Sequence, residues 1–268
     1  VRPMPLYQHV LIGQRLVDLF SKPGQVNPEI LKLEREAMRK VHTDRHRRER
    51  FGQNESRLSR ADIIEKLNRE NLLPAITFIF SRAGCDAAVN QCLNAGLRLT
   101  NSEERAEITK TALYYTQNLA EEDLVVLGFD QWLSALERGI AAHHAGLLPS
   151  FKEAIEDLFK RGLIKAVFAT ETLALGINMP ARTVVLEKLT KWNGESHVSV
   201  TPGEYTQLTG RAGRRGIDIE GNAVILWNKD IDSASAAGLA STRTYPLKSS
   251  FKPTYNMTIN LISQFGAD

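Results

Sequence analysis

The chain has 268 residues, 43% of them hydrophobic and 24% charged, with a formal net charge of +3. These are the proportions of an ordinary globular protein with an ample core, and so slight a charge leaves any nucleic-acid role to be argued from where the arginines lie. No apolar run is long enough to cross a bilayer, no signal-peptide pattern opens the chain, and no CxxC pair exists, so membrane, secreted-scaffold and zinc classes are set aside.

Residues 1–20 read as an extended lead-in with a strand near Tyr7 to Ile12. The opening VRPMPLYQHV, without an initiator methionine, points to a piece of something longer. After SKPGQVNPE breaks the pattern, residues 21–60 form a charged insertion with too few large apolar residues for a core. A solvated helix or a poorly ordered segment is expected there. Its RHRRER run, Arg45 to Arg50, is read as a solvated face ahead of a nucleic-acid contact. From Ala61 helices and short apolar strands alternate: strand 75–80, helix from Ala83 to Asn94, helical stretches near 103–118 and 130–138, and strand 139–142. A helix at 149–162, strands at 164–169 and 182–187, a helix around 203–212 and a strand at 221–227 complete the series. Such alternation predicts an α/β fold, a parallel sheet covered by helices on both faces. A new helical pattern begins near Pro253, as the start of a further domain. Cys85 and Cys92, seven apart on one helix, share a face and are expected to be buried free thiols in a reducing cytoplasm.

Ligands of open parallel sheets bind beyond the carboxyl ends of the strands, so the residues that follow each strand carry the functional argument. Ser81-Arg82-Ala83-Gly84 follows the first internal strand, His143-His144-Ala145-Gly146 the second, and Thr170-Glu171-Thr172 the third. Ser81 and Thr170 suit helix N-caps, where free N–H groups favour phosphate; either one alone could be only a cap. In LALGINMP, Gly176 permits close backbone approach and Asn178 supplies an amide, as a bland loop or a nucleotide-facing one would. QLTGRAGRRG, Gln207 to Gly216, sets three arginines among three glycines. On a helical turn Arg211 and Arg214 would share a face and could converge on one phosphate, which guanidinium binds as a fork. Gly213 and Gly216 would admit a closely approaching chain. An exposed basic turn is the rival reading.

In order, these stretches resemble the second RecA-like domain of superfamily-two helicases, in the superkiller or antiviral DExH family and its actinobacterial HelY-like branch. FIFSRAGCD looks like motif IV, HHAGL like the histidine-containing motif, ATETLALGINMPA like motif V and GEYTQLTGRAGRRGID like motif VI. RPMPL resembles the phrase that leaves the first RecA-like domain, and SSFKPTYNMTINLI the entry to a winged-helix domain. The resemblance implies a RecA-like domain over 61–244 and the start of a winged-helix domain at 245–268. It implies nucleotide-facing roles for Gly176, Asn178, Gln207, Arg211 and Arg214, with Arg214 as the arginine finger. It implies nucleic-acid contacts for Ser81, Arg82, His143, His144, Gly146, Thr170 and Glu171. Arg215 receives no role.

The chain contains neither a GxxxxGK[ST] phosphate loop nor a DExD or DExH motif. In the resembled family both lie on the first RecA-like domain, with most of the ATP and Mg2+ site. The expectation is therefore an ATP-dependent RNA or DNA helicase half, inactive alone, acting as a monomer on single-stranded or tailed RNA or DNA. Its partners in cis are the first RecA-like domain and the domains that follow. A non-catalytic RecA-like module that binds nucleic acid or protein is the alternative.

Overall fold

The computed structural model describes residues 4–51, 58–174, 179–192, 194–231 and 233–242, with backbone alone for 40–51. Strand β1, Leu6–Ile12, turns back through β2, Arg15–Asp18, and a small antiparallel ladder of β3, Phe20–Lys22, and β4, Gln25–Val26, follows. Helix α1, Pro28–Phe51, lies within the charged insertion. Helix α2, Arg60–Arg69, strand β5, Ala75–Phe78, and helix α3, Arg82–Asn94, come next. Three helices then run in succession: α4, Ser102–Thr116, α5, Glu121–Val126, and α6, Phe129–Leu136. Strand β6, Ile140–His143, helix α7, Pro149–Lys160, and strand β7, Ala166–Ala169, lead to a 3-10 turn at Glu171–Ala174. Strand β8, Thr183–Leu186, is followed by a hairpin of β9, Thr190–Trp192, and β10, His197–Ser199. Helix α8, Pro202–Thr209, strand β11, Gly221–Leu226, and helix α9, Ser233–Ser241, end the described chain.

The main sheet has the order β2-β1-β11-β8-β5-β7-β6, parallel throughout except for β2 at its edge. All residues of β5, β7, β8 and β11 are buried, as strands covered on both faces must be. Alternate residues feed two cores. Val167, Ala169, Val184 and Leu186 face one core, with Ile108, Ile155, Leu158 and Tyr205 from α4, α7 and α8. Ala166, Phe168 and Val185 face the other, with Ile64, Leu67, Ala88 and Val89 from α2 and α3. The expected α/β architecture with helices on both faces is thus present, and Cys85 and Cys92 are buried free thiols in the second core.

Two segments differ from expectation. Residues 1–20, read as a lead-in outside the domain, supply β1 and β2 to the main sheet: Leu6 pairs with Gly221 and Leu11 with Leu226. Within the charged insertion α1 is the expected helix, but its first turns are docked and not solvated. Ile30 is fully buried, Leu33 and Ala37 pack against the first core, and Glu34 accepts hydrogen bonds from Ser233 N–H and Oγ. Three apolar residues at helical spacing suffice to anchor an otherwise polar helix. The tail expected to start a winged-helix domain lies outside the described residues.

Candidate nucleotide and nucleic-acid interface

At the carboxyl edge of the sheet the turns after β5, β6 and β7 lie side by side. Ile79 N–H donates to Ala169 O at 2.8 Å, and Thr170 N–H to His143 O at 3.3 Å. Ser81 is the N-cap of α3, and its Oγ accepts from Gly84 N–H at 3.2 Å. A Cβ at Gly84 would lie 2.8 Å from Ile79 Cγ2, so glycine lets the first turn seat against the strand end. Ser81 and Arg82 are exposed, and the Arg82 side chain passes beside Gly146. Thr170 precedes the 3-10 turn, and its hydroxyl meets that of Thr172 at 2.9 Å.

The two histidines of this edge are turned inward, against acids of neighbouring helices. His143 Nε2 lies 3.0 Å from Glu156 of α7, and His144 Nε2 lies 3.0 Å from Asp86 of α3; both imidazoles are buried. Gly146 N–H donates to His144 Nδ1 at 3.1 Å, so His144 donates through Nε2–H to Asp86 and shapes its own loop. Ala145 and Gly146 at the loop tip are exposed, which leaves backbone, not imidazole, on the surface. Burial pushes the His143 pKa below its ordinary value, outweighing the hydrogen bond to Glu156. Glu171 also turns aside: Lys191 of β9 donates to Glu171 at 3.0 Å and lies 2.7 Å from Glu204 of α8. Burial opposes the Lys191 charge, but its hydrogen bonds to Glu204 and Glu171 hold its pKa above the ordinary range.

The arginine loop lies elsewhere, where the chain enters β8, β11 and β1. Helix α8 starts with a capping box of Thr201 and Glu204 and Pro202 in its first turn. It stops at Thr209, so Arg211 and Arg214 do not share a helical face as their spacing predicts. They sit on a loop stitched to its neighbours instead. Ala181 N–H donates to Arg211 O at 2.9 Å, Gly213 N–H to Ala181 O at 2.6 Å, and Gly221 N–H to Pro5 O at 2.9 Å. Gly213 has φ +87°, and a Cβ there would overlap the Met4 side chain, so the closely approaching chain is the lead-in itself.

The guanidinium of Arg211 donates to Ala174 O, at the end of the 3-10 turn, and burial lowers its pKa. Arg214 grips Asp218 through three donors, backbone N–H at 2.9 Å, Nε at 2.8 Å and Nη2 at 2.8 Å. Gln207 is exposed on the last turn of α8; Arg215 is exposed and forms no ion pair among the described residues. Gly176 and Asn178 lie outside the described residues. Sequence reasoning missed Asp218 and Lys191. An acid four residues after Arg214 is a legible signal for the first, whereas the Lys191 bridge depends on tertiary contact alone.

Among the described residues no group of three or more His, Cys, Asp or Glu is placed to hold a metal, and no helix is long and apolar enough to cross a membrane. The model of the helicase conserved C-terminal domain matches residues 92–228, a span that contains the turns after β6 and β7 and the arginine loop. The chain is 58% identical to the probable helicase HelY of Mycobacterium tuberculosis, with 99% of this chain and 30% of that protein covered. It is 56% identical to the Mycobacterium leprae protein of the same name, covering 97% and 30%. It is 39% identical to the antiviral helicase SKI2 of Saccharomyces cerevisiae, covering 75% and 16%. The chain thus spans less than a third of the length of these relatives. With the fold, the order of the motifs and these matches in agreement, the chain belongs to the helicase conserved C-terminal domain family, in its HelY-like, SKI2-type DExH branch.

Proposed function

We propose that this chain is the second motor domain of an ATP-dependent RNA or DNA helicase, and that Arg214 is its arginine finger. The observation that supports this best is the arginine loop. The loop backbone is bonded to Ala181 at the entry to β8 and approaches Met4 of the lead-in, while the Arg211 guanidinium reaches the 3-10 turn after β7, so the loop is coupled to the segment that leaves the carboxyl edge of the sheet. Arg214 uses Nε and Nη2 toward Asp218, and its Nη1 has no hydrogen bond among the described residues. That donor set fits phosphate oxygens and does not fit a metal, so these residues would bind the nucleotide's anionic end while Mg2+ and the phosphate loop belong to the first motor domain. ATP with Mg2+, when bound, supplies the phosphoryl transfer that drives the cycle. Arg211, Arg214 and Gln207 would sense and stabilise its phosphates, together with Gly176 and Asn178. Ser81, Arg82 and Thr170 would hold phosphates of a strand with little sequence preference, and the exposed loop tip at Ala145 and Gly146 would lie beside it.

In the full-length protein, Arg214→Ala is expected to cut ATP hydrolysis about a thousand-fold, on the scale of arginine-finger losses. Unwinding of a tailed duplex would be abolished and strand binding retained. Unimpaired unwinding would remove the finger assignment, whereas absence of ATP-driven unwinding by the full-length parent would leave the non-catalytic binding module. Parallel assays on tailed RNA and tailed DNA decide the substrate class.

A further inference from the structure

Resting on the reading of Arg214 as the finger, we propose that Asp218 is a positioning residue that holds the Arg214 guanidinium in the orientation needed to meet a phosphate. The pair is not an ordinary surface salt bridge. Asp218 is 5% exposed and Arg214 22%, and a single carboxylate receives the backbone N–H, Nε and Nη2 of one residue. Gly216, at φ +78°, reverses the chain so that residue 218 returns over residue 214. Ile217 and Ile219 on either side are exposed, so of these three residues Asp218 alone turns inward.

A free arginine side chain has four rotatable bonds and many orientations. Fixing the Nε–Nη2 edge on a buried carboxylate fixes the plane of the guanidinium and presents the Nη1 edge to a second anion. The carboxylate also offsets the cation's charge. The pair should therefore contribute little to binding ground-state ATP and act mainly through geometry, where charge develops during transfer.

The test is steady-state hydrolysis by the full-length protein, with thermal unfolding measured for every variant. Asp218→Asn is expected to lower kcat about a hundred-fold, the scale of a 1 Å misplacement, with KM for ATP changed less than about three-fold. On an Arg214→Ala background the same substitution should lower kcat no further. Asp218→Glu keeps the charge and displaces the fork by one methylene; it should fold like the parent and still lose kcat, which covers the case of a poorly folded Asp218→Asn. Wild-type kcat in Asp218→Asn or Asp218→Glu, with Arg214→Ala impaired, overturns the positioning role and leaves the finger standing. An additive loss in the double variant also overturns it, because Asp218 would then act apart from Arg214. An unimpaired Arg214→Ala overturns the finger reading itself, and the inference with it.

Discussion

At the carboxyl ends of β5, β6 and β7 the chain leaves the sheet through turns whose tips are exposed, while at the amino ends of β8, β11 and β1 it enters through a seam with almost no free space. The first region holds its shape from below, through His144 on Asp86 and His143 on Glu156. The second holds its shape from within: Ala181, Gly213, Gly221 and Pro5 exchange backbone hydrogen bonds. Opposite substitution patterns follow. The exposed edge should tolerate changes at its surface and suffer when its buried supports are cut. The seam should not tolerate an added methyl group.

The largest effect is expected in the seam. A Cβ at Gly221 would lie 2.7 Å from both C and O of Ala212, backbone atoms that cannot rotate away. Gly221→Ala should therefore cost about 3 kcal/mol of unfolding free energy, the upper part of the overpacking range, read from denaturant midpoints. A cost near zero would mean that the seam is open in solution and that the arginine loop is not rigidly placed.

The contrast also explains what the sequence makes legible. Short, mostly apolar runs such as Ala75–Phe78 and Ala166–Ala169 are buried from either side and read directly as strands, and Ser81 reads directly as a cap. The place of β1 does not, because its partner β11 lies more than two hundred residues away and nothing local encodes a pairing across that distance. The hairpin of β9 and β10 and the six-residue α5 are too short to leave a periodic signal. At the site, arginine spacing suggested a shared helical face, but α8 ends two residues before Arg211 and glycine-rich backbone takes over. The paired histidines looked like exposed polar residues after a strand. Their partners, Asp86 and Glu156, sit on separate helices and become visible only in three dimensions.

A medium effect separates support from contact at the exposed edge. His144→Ala removes a buried imidazole and leaves Gly146 N–H without its acceptor, so stability should fall by about 2 kcal/mol. Arg82→Ala should leave stability within about 0.5 kcal/mol, as expected for an exposed side chain. It should weaken strand binding by the full-length protein and reduce the salt dependence of binding by about one phosphate contact. The reverse outcome, a stable His144→Ala variant that no longer binds strands, would put the imidazole itself at the interface.

The smallest effect concerns pH and the second support of that edge. His143 donates Nε2–H to Glu156, and its Nδ1 sits in a buried position with no well-formed partner among the described residues. A neutral ring tolerates this, whereas protonation would create a buried N–H donor and a desolvated charge. Burial accordingly lowers the folded pKa below the ordinary value of 6.5, against the pull of Glu156. A base depressed in this way contributes stability that is fully present above its unfolded pKa and is lost as pH falls through the folded value. Asp218, Glu104 and Glu204 are held low, against their own burial, by hydrogen bonds from Arg214, Lys165 and Lys191, so their stabilisation persists until more acidic pH. Between about pH 7.5 and 5.5 the carboxylates drop out and the His143 contribution is the difference between the parent and His143→Gln, in which the other five histidines cancel, with a slope no greater than about 1.4 kcal/mol per pH unit for one proton. Denaturant unfolding should show the parent losing stability over that interval and His143→Gln losing less. Equal slopes would mean that the ring titrates alike in the folded and unfolded states. A parent that gains stability relative to His143→Gln as pH falls would mean that the ring already carries its proton when folded, so that the exposed edge rests on a buried ion pair with Glu156 instead of a neutral hydrogen bond.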